Sequence, residues 1–146
     1  MIELDTIMST DLETISPTDS LEKAGAIMQR RRIHHLPVVG DDGHLVGLVT
    51  LSNLLAATDS FLRDEDSRMH PGEIRARDVM VTDVATVDEH ASVRQAALFL
   101  EKHRIGCLPV VTDGELKGII TDTDFVGIAI NLLEQIESIE PIAEEF

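Results

Sequence analysis

A chain of 146 residues holds one ordinary domain or two small halves that share an interior, and nothing larger. Its 27 acidic residues outnumber 12 basic ones for a formal net charge of -15, a field that repels phosphate backbones and anionic surfaces, so neither nucleic acid nor membrane is expected as a partner. The single Cys107 cannot close an internal disulfide, no basic flank precedes an apolar stretch at the N-terminus, and the apolar runs fall well short of the ~18 residues that span a bilayer, so a cytoplasmic protein is expected.

Hydrophobic residues make up 43% of the chain with no Trp or Tyr among them, which predicts a globular protein with an aliphatic core. In chain order, Thr6-Ile7-Met8 and the short extended run at Thr14-Ile15 come first. Leu21, Ala24, Ile27 and Met28 then recur at helical spacing, and the helix they predict ends in Arg30-Arg31-Arg32, where cations suit the negative end of the helix dipole. The β-branched runs 36–39 and 45–50, joined by Gly40-Asp41-Asp42-Gly43-His44, predict a buried hairpin, and a second helix comes next over about 52–62. Residues 58–77 are polar and charge-mixed around Pro71-Gly72 and read as a connection.

The same order then returns. His35-Leu36-Pro37-Val38-Val39 reappears as Cys107-Leu108-Pro109-Val110-Val111, and Gly47-Leu48-Val49-Thr50 reappears as Gly118-Ile119-Ile120-Thr121. The second pair of segments lies one position closer together than the first, so the turn Thr112-Asp113-Gly114-Glu115 is the shorter of the two. Extended backwards, the register pairs Ile7-Met8 with Val79-Met80, Thr14-Ile15 with Thr86-Val87, Ser20-Leu21 with Ser92-Val93 and Arg32-Ile33 with Arg104-Ile105. Ser92 and Gln95 form a capping box ahead of Val93, Ala96, Ala97 and Leu100, whose helix ends at His103-Arg104. A final helix is predicted over about 123–139, with Leu132, Leu133, Ile136 and Ile139 on an apolar face that covers the core or a neighbouring subunit, until Pro141 stops it. Each copy thus reads strand, helix, strand, strand, helix.

These residues resemble the cystathionine β-synthase (CBS) domain family, which occurs as tandem pairs called Bateman modules. The likeness rests on Asp78-Val79-Met80 and Thr6-Ile7-Met8, on Leu-Pro-Val-Val, on the apolar hairpin, and on the closing Gly-x-x-Thr-x-x-Asp, in order and twice over. The resemblance implies an α+β fold of two pseudo-symmetric β-α-β-β-α units packed sheet to sheet, with unit 1 at 1–62, a linker at 63–77, unit 2 at 78–140 and a tail at 141–146. It further implies two clefts related by a pseudo-twofold axis, an adenosine-containing regulatory ligand (AMP, ADP, ATP or S-adenosylmethionine), no required cofactor, a homodimer, and an effector protein that the sequence does not name.

The second copy carries the family's ribose-phosphate motif in full, Gly118-Ile119-Ile120-Thr121-Asp122-Thr123-Asp124. An ionised carboxylate offers two acceptor oxygens, so Asp124 suits both hydroxyls of a ribose diol while the Thr121 hydroxyl donates to a phosphate oxygen. The same residues also suit a helix cap, and that structural role stands beside the ligand role. In the first copy Thr50 is followed by Asn53 where Asp is expected, which predicts a weaker second site. By resemblance, Val84, Ala85, Ile105, Gly106, Cys107 and Leu108 form the adenine slot, core packing being the other reading of the same side chains, and Arg32 and His35 face the phosphates. Cys107 reads as a small hydrophobe rather than a nucleophile. Adjacent His34-His35 point to opposite faces of a strand with no third ligand at metal spacing, so no metal is expected. No catalytic motif is present, and a sensor that is not an enzyme is expected, the alternative being a dimerisation or docking module that needs no ligand.

Overall fold

Two serines start two equivalent helices. The computed structural model describes residues 2–63 and 72–139. Ser20 Oγ accepts from the Lys23 amide at 3.1 Å and opens α1 (Leu21–Arg31), whose Leu21, Ala24, Ile27 and Met28 are buried. Ser92 Oγ accepts from the Gln95 amide at 3.0 Å, the Gln95 side chain accepts from the Ser92 amide at 3.4 Å, and this capping box opens α4 (Val93–His103). Both helices end on an arginine in the left-handed region, Arg32 at φ 54° and Arg104 at φ 52°. That conformation costs an L-residue about 1–2 kcal/mol, and here it turns each chain sharply into the next strand.

Each hairpin then forms as expected. In the first, β1 (His35–Val39) pairs antiparallel with β2 (Leu45–Thr50), and in the second, β3 (Cys107–Thr112) pairs with β4 (Glu115–Thr121). Both carry an irregularity at the equivalent place, Val38/Val39 and Val110/Val111. The shorter second turn holds Asp113 and Gly114 at φ 53° and 81°, the pair of positive angles that a two-residue hairpin turn requires. The helices α2 (Leu51–Arg63) and α5 (Asp122–Ile139) come directly after.

The strand expected ahead of each first helix is reduced to a single parallel bridge, Ile15 to Val38 and Val87 to Val110. Pro17 has no amide to extend the first run, and Asp88 turns the second by accepting from the His90 amide at 2.8 Å. The two copies meet through their hairpins, Leu45 donating to the Gly114 carbonyl at 3.3 Å and Leu116 to the Gly43 carbonyl at 3.4 Å.

The two copies also exchange their opening segments. The short helix α3 (Ala76–Val79) lies at the start of the second copy, yet Ala76 is fully buried in the first copy's core, with Ile74, Val79 and Met80 packed against it. Its backbone is pinned there, Leu21 donating to the Ile74 carbonyl and Ala76 to the Asp19 carbonyl, each at 2.8 Å. Leu4, in the 3-10 turn Leu4–Thr6, is fully buried in the second core beside Ala96, Leu100, Leu108, Val110 and Ile120. Val93 donates to the Ile2 carbonyl at 2.9 Å and Leu4 to the Ala91 carbonyl at 3.0 Å, the same two bonds with the copies interchanged. Glu3 Oε2 adds a contact with His90 Nδ1 at 3.2 Å. Within the expected linker at 63–77, Ile74 and Ala76 pack on the first unit's core; residues 64–71 and the tail at 141–146 lie outside the described residues.

The exchange explains the glycine of each Gly-x-x-Thr. Ser9 and Ile119 exchange backbone bonds at 3.1 Å, as Val81 and Leu48 do at 2.8 and 2.9 Å, which presses Met8 onto Gly118 and Met80 onto Gly47. A Cβ on Gly118 would lie 2.6 Å from Met8 Sδ and 3.0 Å from the Ser9 carbonyl oxygen, and the latter is backbone that cannot swing aside. Gly118→Ala is expected to lower stability by about 1–3 kcal/mol in urea unfolding. An unchanged midpoint and slope would mean that this contact yields without cost.

Candidate functional site

Thr121 closes β4 and caps α5, and its two donors turn toward the residue three places on. Asp124 Oδ2 accepts from the Thr121 amide at 2.8 Å and from the Thr121 hydroxyl at 3.3 Å. Asp124 Oδ1 has no donor among the described residues, so one anionic oxygen remains available at the helix start. The first copy repeats the cap with an amide, Asn53 Oδ1 accepting from the Thr50 amide at 3.1 Å and the Thr50 hydroxyl at 2.8 Å. An N–H can bond only to the oxygen of that side chain, so Asn53 keeps an Nδ2 donor that has no partner among the described residues. The two helix starts differ in kind: one offers a charged acceptor, the other a neutral donor.

A cavity of about 330 Å³ opens at Asp124. Its far wall comes from the first copy, with Leu12 and Glu13 from the segment before Ile15 and Arg31, Arg32, Ile33, His34 and His35 from the turn into β1. Ser9, carried over with the exchanged segment, and Asp11 complete that wall, while Ile119, Thr121, Asp122, Thr123 and Asp124 form the other. Thr121, Asp124, Arg32 and His35 thus line one cavity.

The residues expected to form the adenine slot do not line this cavity. Leu108 is fully buried and Cys107 is 6% exposed, both inside the second unit. Gly106 lies behind the cavity wall, where an added Cβ would stand 3.4 Å from Asp122 Oδ2 and 3.6 Å from His35 Cε1. Ala85 and Ile105 pack on the second core, and Val84 is likewise absent from the lining. Their counterparts in the first copy, Leu12, Glu13, Ile33, His34 and His35, line the cavity instead. Thr50 and Asn53 sit at the equivalent start of α2, outside this cavity.

The charges in the wall are partly spent on each other. Arg31 lies 3.3 Å from Asp11 and 3.7 Å from Glu13, and Arg30 lies 3.6 Å from Glu13. These exposed pairs contribute at most about 1 kcal/mol each, but they hold Arg31 to one side. Arg32 has no carboxylate within ion-pair distance among the described residues. Burial pushes His35 below the ordinary histidine range, against the Asp122 carboxylate and with help from neighbouring His34, so its ring is neutral at pH 7. Burial, with Asp122 and Asp124 adding to it, pushes the Cys107 thiol up to about 12, which removes it as a nucleophile.

The arrangement is a two-sided cleft built by tandem copies around an anionic helix start, and the family model for the CBS domain matches both copies, at residues 4–60 and 76–131. The chain belongs to the CBS domain family. A CBS domain-containing protein of Dictyostelium discoideum is 32% identical over 134 residues, which is 89% of this chain and 92% of that protein. The inosine-5′-monophosphate dehydrogenase of Thermoplasma acidophilum is 39% identical over 123 residues, but the shared part is only 22% of that enzyme, against 84% of this CBS pair. Among solved structures, a candidate acetoin utilization protein (AcuB) from Vibrio cholerae superimposes with a TM-score of 0.82 at 40% identity, covering 97% of this chain and 99% of that one. CBSX2 in complex with AMP gives 0.78 at 26% identity, covering 91% and 99%. The CBS domain pair of MJ0100, in complex with 5′-methylthioadenosine and S-adenosylmethionine, gives 0.76 at 25% identity, covering 90% and 98%. No helix among the described residues is long and apolar enough to cross a membrane.

Proposed function

We propose that this CBS pair is a cytoplasmic regulatory module, and not an enzyme, that holds an adenosine-containing ligand at Asp124 and passes its occupancy to an effector protein. The observation that supports this reading is the cavity of about 330 Å³ lined by Asp124, Arg32 and His35, a volume within the usual range for small-molecule sites. Asp124 Oδ1 accepts from a ribose hydroxyl, Leu12 and Ile33 flank the base, and Arg32 and His35 face the 5′ end of the ligand. The adenosine ligands in CBSX2 and in the MJ0100 pair support this choice of class. The cleft at Thr50 and Asn53 is the weaker second site. Calorimetric titration of the chain with AMP, ATP and S-adenosylmethionine tests the proposal: saturable heat with about one tight site is expected. No heat at millimolar ligand would remove sensing and leave dimerisation or docking as the function.

The exposed face of α5 supports a homodimer. Among the described residues, none of α5 is buried, and Val126, Ile130 and Leu133 stand 58%, 50% and 56% exposed at the spacing of one helical face. Leu55, on the equivalent helix α2, is 56% exposed as well. A second copy of the chain covers this face in a symmetric pair, since the same patch then meets itself. Ile130→Glu with Leu133→Glu is expected to convert the dimer to monomer in light scattering after size exclusion, with helical content retained. A parent chain that already runs as a monomer at high micromolar concentration would refute the pairing.

A further inference from the structure

We infer that the cavity at Asp124 selects an adenosine ligand whose 5′ substituent is uncharged or cationic, a thioether or a sulfonium, over one that carries a polyphosphate. This rests on reading the cavity as an adenosine site and concerns only the substituent beyond the ribose. The lining holds four carboxylates, Asp11, Glu13, Asp122 and Asp124, against two guanidiniums, Arg31 and Arg32. Arg31 is turned to Asp11 and Glu13, at 3.3 and 3.7 Å, so Arg32 alone is left to meet an anion.

A helix start ordinarily favours phosphate through its open amides and positive dipole end. Here the chain supplies its own anions instead. Asp122 Oδ1 accepts from the Thr123 amide at 2.9 Å, and Asp124 Oδ2 accepts from the Thr121 amide at 2.8 Å. Both carboxylates occupy the first turn of α5 and oppose a second anion at the same place. His35 offers no compensating charge, because burial holds its ring neutral. The other helix start shows the contrast: Leu51 stands where Asp122 stands, and Ala85 stands where Glu13 stands. Of the four acids in this cavity, the other copy keeps only the counterpart of Asp11, Asp83, with Asn53 where Asp124 stands. A polyphosphate entering the cavity at Asp124 meets a wall whose carboxylates outnumber its guanidiniums even when Arg30, paired with Glu13 at 3.6 Å, is counted, in a chain of net charge -15, whereas a sulfonium is drawn to the same wall.

The test is calorimetric titration of the full chain with S-adenosylmethionine, 5′-methylthioadenosine and ATP, at about 0.15 M salt so that the screening length is near 8 Å. S-adenosylmethionine and 5′-methylthioadenosine are expected to bind at least ~10-fold tighter than ATP. Asp122→Asn, which keeps an oxygen for the Thr123 amide, is expected to narrow that gap by strengthening ATP. ATP binding within tenfold of the other two, or tighter, overturns the charge selection and leaves the adenosine site standing. Silence from all three ligands removes the adenosine site and the selection with it.

Discussion

Leu4→Ala is expected to lower the free energy of unfolding by about 2–5 kcal/mol, a cost normally confined to residues deep inside a domain. The fourth residue of a chain usually frays and tolerates change. Leu4 differs because it is fully buried among Ala96, Leu100, Leu108, Val110 and Ile120, all from the second copy. Removing three side-chain carbons leaves a cavity walled by both hairpin and helix, and little around it can collapse. Urea unfolding followed by far-ultraviolet dichroism measures the loss, with Ile2→Ala as the control, since Ile2 is 64% exposed and its truncation should change stability by less than about 0.5 kcal/mol. Equal midpoints for Leu4→Ala and the control would mean that the opening segment does not dock on the second copy.

Asp124→Ala is expected to weaken adenosine-ligand binding about 10- to 100-fold, or ~1.5–3 kcal/mol. The same change removes the helix cap, because Asp124 Oδ2 receives both Thr121 donors, and so costs a further ~1 kcal/mol of stability. Asp124→Asn separates the two effects. Its amide oxygen keeps the cap, as Asn53 does at the other helix start, while the end that faces the cavity becomes a neutral donor. Full stability with binding at least tenfold weaker is the expected result. Affinity unchanged in Asp124→Asn would show that the carboxylate serves the helix and not a ligand.

Much of this architecture is legible in the sequence. Ser20 and Ser92, the periodic stripes after them and the Asp113-Gly114 turn are local signals, and local physics decides them whatever the rest of the chain does. The motif residues Thr121 and Asp124 are legible for the same reason, since a cap and a ribose contact ask for the same atoms. What the repeat does not reveal is which copy each segment packs against. Two equivalent halves satisfy an internal arrangement and an exchanged one equally well in sequence, so the resemblance sets Val84, Ala85 and Ile105 beside Asp124 in its own copy, whereas Leu12, Glu13 and Ile33 line the cavity. One signal is at hand: carried further back, the register of the repeat pairs Ile2 with Ile74 and Leu4 with Ala76, placing apolar anchors inside the stretch that reads as a connection. The role of Gly118 is hidden too, because the Met8 thioether that crowds it comes from the opposite end of the chain.

A polypeptide carrying only one of the two copies would leave its own interior bare, because its opening arm belongs on a neighbour's globule. Such a half is complete only when a second molecule returns an arm, and its folded population falls on dilution. Joining the halves end to end replaces that encounter with the closing of a loop, whose entropic cost grows by only about 0.6 kcal/mol for each doubling of length. The tether thus makes the assembly of the two-sided cavity at Asp124 independent of protein concentration.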